Sequence, residues 1–376
     1  MKGDMHRFSF DNSLILIPKE PDLKYLYIEI TNRCNLRCEM CFKQYWEDEE
    51  GDMDYNLFLK ILDDAEEFPE LEMIYFGGIG EPTVHPRFMD MVKEVKKRGY
   101  AFGMSTNGFL LTDKRIKELV ELDVDLIYIS LDAIPTQETR IGHIMPSVAV
   151  DRIKKIIEEK KRQRKDFPHI GVEVVVTKEN YWQMPHIADY LGDLGIDVLL
   201  FSNIIPIEKK HADQIVYDGS VNLQPYIDEL YAKAYKQFLL KLPEFQLRTE
   251  RHCDFVEKKV AVVRWDGEVA PCYRFLHTYP EVVFGREKKV YAYSFGNVRE
   301  KSLKEIWTSR DYTWFRFVVK NALYPSCTDC PLVDSCSFVE DTNADCWSNT
   351  PSCGDCLWAR RIVLCPIPEK GVKGFW

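Results

Sequence analysis

Two hydrophobic periods alternate along the first 210 residues, and few folds accept that pattern. Runs of strand character lie at 25–31, 73–76, 100–105, 125–131, 172–177 and 197–202. Between them apolar residues recur at helical spacing. Phe58, Ile61, Leu62 and Ala65 share one helix face, as do Phe88, Met91, Val92 and Val95 ahead of Gly99. Ile116, Leu119 and Val120 mark a third helix, and Ile153, Ile156 and Ile157 a fourth. Ile187, Tyr190, Leu191 and Leu194 mark a fifth, closed by Gly195. Six strands alternating with helices imply an α/β fold with a parallel sheet and right-handed crossovers. A full eight-unit barrel takes about 250 residues, so six units suit a partial barrel or a doubly wound sheet. In either, functional groups collect at the carboxyl ends of the strands.

Residues 203–222 read as a loop, and 223–242 as a helix bridging to a second half. From about His252 the alternation stops, and nine of the twelve cysteines fall between Cys253 and Cys365. This divides the chain into an N-terminal extension (1–20), an α/β unit (21–215), a bridging helix (216–250) and a cysteine-rich domain (251–376). With 50 basic against 60 acidic residues the net charge is −10, which argues against a nucleic-acid binder. No apolar run is long enough to cross a membrane. The polar start M-K-G-D-M-H-R does not resemble a signal peptide. A cytoplasmic protein is expected, where short cysteine spacings point to metal binding or catalysis rather than disulfides.

Cys34-x3-Cys38-x2-Cys41 follows the first strand directly, at its carboxyl end. Three thiolates suit an iron–sulfur cluster with one iron left open. Zinc held with a distant histidine, or simple burial, are the competing readings. The run, with Met40 and Phe42 beside its last cysteine, resembles the signature of the radical S-adenosylmethionine (SAM) superfamily. That resemblance implies a 4Fe–4S cluster whose open iron chelates SAM and cleaves it reductively to a 5′-deoxyadenosyl radical. It also implies a partial (β/α)6 TIM-like barrel.

Three later strand ends fit the resemblance in order. F76-G-G-I-G-E-P82, read alone, is a tight turn; it is similar to the family's glycine-rich loop, which implies SAM contacts at Gly77, Gly78, Gly80 and Glu81. S105-T-N-G108 implies Ser105 and Asn107 near the SAM carboxylate. Ser130 and Asp132 lie on one face of the fourth strand, and the resemblance implies ribose contacts for Asp132; a turn-capping Asp is the plain alternative. Asn203 ends the sixth strand and is a further candidate for the SAM pocket.

The second half reads Cys253-x13-Gly267-x4-Cys272, then Cys327-x2-Cys330-x5-Cys336, then Cys346, Cys353, Cys356 and Cys365. W-D-G-E around Gly267 signals a hairpin turn. The pattern resembles the SPASM extension, which implies two auxiliary iron–sulfur clusters, although that family's next cysteine falls at Glu340 here. Two closed clusters need eight ligands and nine cysteines are present, so one is surplus. Cys327, Cys330 and Cys336 are expected with one late cysteine, and Cys253 and Cys272 with two. Zinc ribbons are the alternative.

The closing stretch from Cys346 to Pro366 looks like the tail of the tungsten cofactor oxidoreductase maturases within the SPASM group. This implies a protein or peptide substrate such as a tungsten-dependent aldehyde oxidoreductase, or its cofactor, and an electron donor such as ferredoxin or flavodoxin. A thioether- or carbon-crosslinking peptide modifier, a formylglycine-forming sulfatase maturase and a non-catalytic iron–sulfur or zinc protein are the alternatives. His143, His211, His252 and His277 are acid–base candidates by type alone. Tyr273 and Arg274 read as hairpin packing first and cavity lining second.

Overall fold

The apolar runs of the first half become neighbouring strands of one sheet. A computed structural model describes residues 4–46, 48–133, 146–235 and 237–367. After an N-terminal hairpin of β1 (Met5–Phe10) and β2 (Ser13–Pro18) come β3 (Tyr25–Ile28), β4 (Met73–Phe76), β5 (Ala101–Thr106), β6 (Leu126–Ser130), β7 (His169–Val176) and β8 (Val198–Asn203). Strands β3 to β8 lie side by side in chain order, each pair parallel. They are linked by α1 (Tyr55–Ala65), α2 (Phe88–Lys97), α3 (Asp113–Glu121), α4 (Pro146–Gln163) and α5 (Met184–Leu194). Every residue of β3, β4 and β8 is buried, as expected of parallel strands covered on both faces.

Local chemistry sets the helix ends. The Asp54 carboxylate accepts from the Asn56 and Leu57 amides to start α1, and Thr112 caps α3 through the Arg115 amide. Gly195 ends α5 at φ 87°, a conformation that favours glycine. α1 buries Leu57, Phe58, Ile61, Leu62 and Ala65, most of them residues of its expected apolar face.

The sheet is larger than six strands. The loop at 203–222 contains a short helix, α6 (Lys209–Ala212). The helix expected over 223–242 is only α7 (Gln224–Ala234), because Tyr235 turns to ψ 118°. Beyond it β9 (Leu239–Lys241) pairs parallel to β8, Leu239 opposite Val198. A short leucine-rich run does not distinguish helix from strand by period, and sheet pairing decides here. At the other edge, after a short helix α8 (Asp254–Glu257), β10 (Val260–Val263) pairs parallel to β3, and β11 (Val269–Ala270) folds back on β10 through the expected turn, Gly267 at φ 99°. The order β11-β10-β3-β4-β5-β6-β7-β8-β9 is thus a nine-stranded open sheet to which the cysteine-rich half contributes one edge.

The rest of that half holds a second hairpin, β12 (Tyr279–Val283) with β13 (Arg286–Val290), and helices α9 (Leu303–Trp307) and α10 (Arg310–Lys320). The first hairpin packs on α10, with the Phe8 and Trp314 rings 4.6 Å apart. The end of the described chain runs back across the strand ends. Asn203 Nδ2 donates to the Ile362 carbonyl (2.9 Å), the Leu364 amide donates to Ser202 Oγ (3.0 Å), Tyr27 OH donates to the Pro366 carbonyl (3.0 Å) and Lys241 Nζ to that of Ile367 (2.7 Å). A tail pinned to β3, β8 and β9 covers the mouth between the two sides of the sheet.

Candidate active site

Under that tail, at the carboxyl ends of the strands, lies a cavity of about 350 Å³. Cys34, Cys38 and Cys41 line it, and so do all nine residues nominated for SAM, from Gly77 to Asn203. Burial pushes the Cys41 thiol up to about 12, and neighbouring Cys38 and Cys34 push the same way. Such thiols ionise together only beside a strong positive charge, which a metal centre supplies. A three-thiol set with one coordination place left open therefore fits the donor chemistry of a cuboidal cluster. Among the described residues, no group of three or more His, Cys, Asp or Glu is arranged to hold a single metal ion.

The glycine loop is shaped by its neighbours. A Cβ on Gly80 would fall on the Thr31 carbonyl oxygen and 2.7 Å from Asn32 Cα, and one on Gly77 would fall on the Tyr273 hydroxyl. Gly78 sits at φ 120° against the Glu29 side chain. Glu81 is buried and spoken for: Oε1 accepts from the Thr83 amide (3.1 Å), the Thr83 hydroxyl (2.5 Å) and the Thr106 hydroxyl (2.8 Å), and Oε2 from the Asn107 amide (2.7 Å). Its geometry is that of a clasp between the glycine loop and the end of β5. Asn107 in turn donates to Asn35 Oδ1 (2.9 Å), tying β5 to the cysteine loop.

Other groups in the wall keep hydrogen-bonding capacity for a ligand. Burial raises the Asp132 carboxyl to about 6, with a hydrogen bond from the Val175 amide opposing it. Asn203 Oδ1 is buried without a partner. Glu173, which sequence reading passed over, stands beside Ser130 in the sheet and accepts from Ser105 Oγ at 3.4 Å. Burial pushes it up to about 7, against that hydrogen bond and the attraction of Lys241. Its signal was there: one carboxylate inside the apolar run H-I-G-V-E-V-V-V.

The histidines lie elsewhere. His143 is outside the described residues, and none of His211, His252 and His277 lines the cavity. His252 is exposed beside Asp254, and His211 is buried with its ring edge-on to Tyr45. His277, fully buried, donates to Glu29 (3.0 Å) and Asp48 (2.5 Å), while Glu29 Oε1 also accepts from the Ile79 amide of the glycine loop. Burial alone would lower the pKa of this ring, but Glu29 and Asp48 outweigh it and hold it above its usual 6.5. Its stabilising charge is then complete below about pH 6.5 and is lost as pH rises through the raised value. The melting temperature of His277→Gln should fall furthest below wild type in acid and close on it as pH rises through the raised value. A gap that widens with pH would contradict this.

The late cysteines separate into sets. Cys253, Cys272, Cys353 and Cys356 line one small enclosed cavity. Burial, then Cys356, Cys253 and Cys272, raise the Cys353 thiol. Cys346 is exposed and feels Cys336 and Cys330, while Cys327 feels Cys346. Glu340, at the departure from the family spacing, is exposed. The two sets meet at Gly354: its carbonyl accepts from the Cys327 amide (2.8 Å), and a Cβ there would come 2.5 Å from Cys327 Sγ. Cys365, the ninth late cysteine, feels Cys272 of the first set but lines the central cavity rather than the small one. Tyr273 also lines that cavity, edge-on to Tyr27, so it packs the hairpin and faces the site. Arg274 is buried in the wall of the four-cysteine cavity, paired with Glu281 (2.6 Å) and Asp355 (3.1 Å).

Sequence comparison agrees with this layout. Residues 28–191 match the radical SAM superfamily, and 253–331 match SPASM, an iron–sulfur cluster-binding domain. The chain belongs to the radical SAM superfamily and carries a SPASM domain; it is an enzyme whose cofactors are SAM and iron–sulfur clusters. Within that class it is 66% identical, over 94% of its own length and 100% of the other's, to the tungsten-containing aldehyde ferredoxin oxidoreductase cofactor-modifying protein of Pyrococcus furiosus. The fold is shared with Streptococcus suis SuiB bound to S-adenosylmethionine, at TM-score 0.60 and 16% identity over 86% of this chain and 73% of that one. SuiB bound to precursor peptide SuiA gives TM-score 0.61 and 16% identity, over 84% and 71%.

Proposed function

We propose that this enzyme cleaves SAM at a 4Fe–4S cluster held by Cys34, Cys38 and Cys41, in order to modify a tungsten-dependent aldehyde oxidoreductase or its cofactor. The substrate reading is carried by the 66% identity to the Pyrococcus furiosus protein, sustained over nearly the whole chain. The bound cluster supplies the electron that opens the sulfonium; the chain's own residues bind, orient and exclude water. The glycine-loop backbone approaches the SAM amino group, Glu81 and Asn107 hold that loop to the cysteine loop, and Asp132 accepts from the ribose hydroxyls. Cys253, Cys272, Cys353 and Cys356 hold one auxiliary cluster, and Cys327, Cys330, Cys336 and Cys346 the other. The second set reaches the surface at Cys346, and the same cysteine-rich segment exposes Leu332, Phe338 and Trp347, which suits docking of a ferredoxin- or flavodoxin-type donor. Cysteine ligands in this number suit the reducing cytoplasm.

The direct test is to incubate the reconstituted enzyme, SAM and a reductant with the cofactor and the apoprotein of a tungsten oxidoreductase. A SAM-dependent mass change in either is expected. A crosslink formed in an unrelated peptide, with cofactor and apoprotein unchanged, would favour the peptide-modifier reading instead.

The ribose role of Asp132 has a pH signature. SAM hydroxyls favour its ionised form, so affinity should rise through pH 6 and level off above about 7. Asp132→Asn loses a charge-assisted hydrogen bond worth about 1.5–3 kcal/mol, roughly 10- to 150-fold in Kd, and flattens the profile. An unchanged profile in the variant, measured by equilibrium dialysis, would remove Asp132 from this role.

A further inference from the structure

The nine late cysteines divide into four, four and one, and the one is held where chemistry happens. The pinned tail carries Cys365 across the strand ends, bonded on one side to Ser202 through Leu364 and on the other to Tyr27 through Pro366. Trp358 Nε1 donates to Cys365 Sγ at 3.1 Å, which fixes the thiol in the cavity wall. The same cavity contains the unpartnered Oδ1 of Asn203, a residue 2% exposed, so the space beside Cys365 is built to receive a polar ligand.

We propose that Cys365 is a catalytic thiol, the hydrogen-atom donor to a carbon radical formed in this cavity. The assignment rests on the radical SAM reading above. An S–H bond is weaker than an alkyl C–H bond, so transfer runs downhill: R• and Cys365–SH give R–H and Cys365–S•. The thiyl regains one electron and one proton. An iron–sulfur centre held by Cys253, Cys272, Cys353 and Cys356 would supply the electron, drawn in turn from an external low-potential donor. The indole of Trp358 lines both cavities and stands between them. The proton comes from the Glu173 carboxyl, in the same wall and about half protonated at neutral pH, which becomes a carboxylate and is recharged by solvent. Burial raises the Cys365 thiol and keeps it protonated, as a hydrogen donor must be.

The test needs no substrate, because the 5′-deoxyadenosyl radical then takes hydrogen from the weakest bond within reach. Full-length, cluster-reconstituted protein is given SAM and dithionite in thiol-free D2O buffer, and 5′-deoxyadenosine is weighed by mass spectrometry. Wild type should place one deuterium in the product. Cys365→Ala and Cys365→Ser should lose that label while still forming 5′-deoxyadenosine and retaining wild-type iron. Label that persists in both variants, or is missing from wild type, overturns the assignment. So does a fall of about four irons in both variants, which would make Cys365 a cluster ligand. Absence of 5′-deoxyadenosine from wild type would instead sink the radical reading, and this assignment with it.

Discussion

Replacement of Cys34, Cys38 and Cys41 by alanine should lower the iron of the reconstituted chain from about twelve atoms to about eight and abolish 5′-deoxyadenosine. The size of the step follows from how the sulfurs are partitioned. The three line the central cavity, while eight others form two sets in the second half that the substitutions do not touch. Stability should change little apart from the cluster itself, because all three side chains are only partly buried and a Cys-to-Ala change removes one atom. Iron and sulfide analysis with a melting curve separates the outcomes. Unchanged iron would mean that the loop holds no cluster, and a collapsed melting curve that it is chiefly structural.

Gly80→Ala should be the most damaging single substitution in the glycine loop. The new Cβ would meet the Thr31 carbonyl and Asn32 Cα, which are backbone and cannot swing aside. Thr31 and Asn32 lead directly into the cysteine loop, and the Glu81 amide donates to the Arg33 carbonyl at 2.8 Å. The clash therefore pushes the glycine and cysteine loops apart. Overpacking of this kind costs about 1–3 kcal/mol, so SAM affinity should fall roughly 5- to 150-fold, with a lower melting temperature. Gly99→Ala is the control: φ is 83° and nothing lies within 4 Å of its Cβ, so it carries backbone strain but no clash. It should lower stability modestly and leave SAM binding intact. Equal SAM affinity in wild type and Gly80→Ala would show that the close approach at this glycine is not needed for the pocket.

What could be read from sequence was what local pattern determines. Strand β4 falls at the expected residues, and β5 and β8 are shifted by one, because buried parallel strands are continuous apolar runs bounded by polar turns. β10 was missed although V-A-V-V is as strand-like as any of them. Its partner is β3, more than 230 residues away, and nothing local announces that pairing. The helix expected over 223–242 forms only to Ala234 for the same reason, since β8 recruits Leu239 to Lys241. In the site, the cysteine loop and the three strand-end motifs were legible because each sits directly after its own strand. The grouping of the late cysteines was legible only in part. The SPASM resemblance groups Cys327, Cys330 and Cys336, but which late cysteines join Cys253 and Cys272, here Cys353 and Cys356, is decided by the fold. Glu173 was legible as the one carboxylate in an apolar strand, whereas the place of Cys365 emerges only when the tail is seen lying over the strand ends.

On the proposed function, the three-cysteine loop presents SAM to an iron cluster with a free coordination place. Anaerobically reconstituted wild-type protein, reduced with dithionite and given SAM, tests it most directly through 5′-deoxyadenosine and the electron paramagnetic resonance of the reduced cluster. 5′-Deoxyadenosine is expected in the product mixture, with a reduced-cluster signal that changes shape when SAM binds. A signal indifferent to SAM with no 5′-deoxyadenosine formed, or zinc recovered from the loop in place of iron, would contradict it.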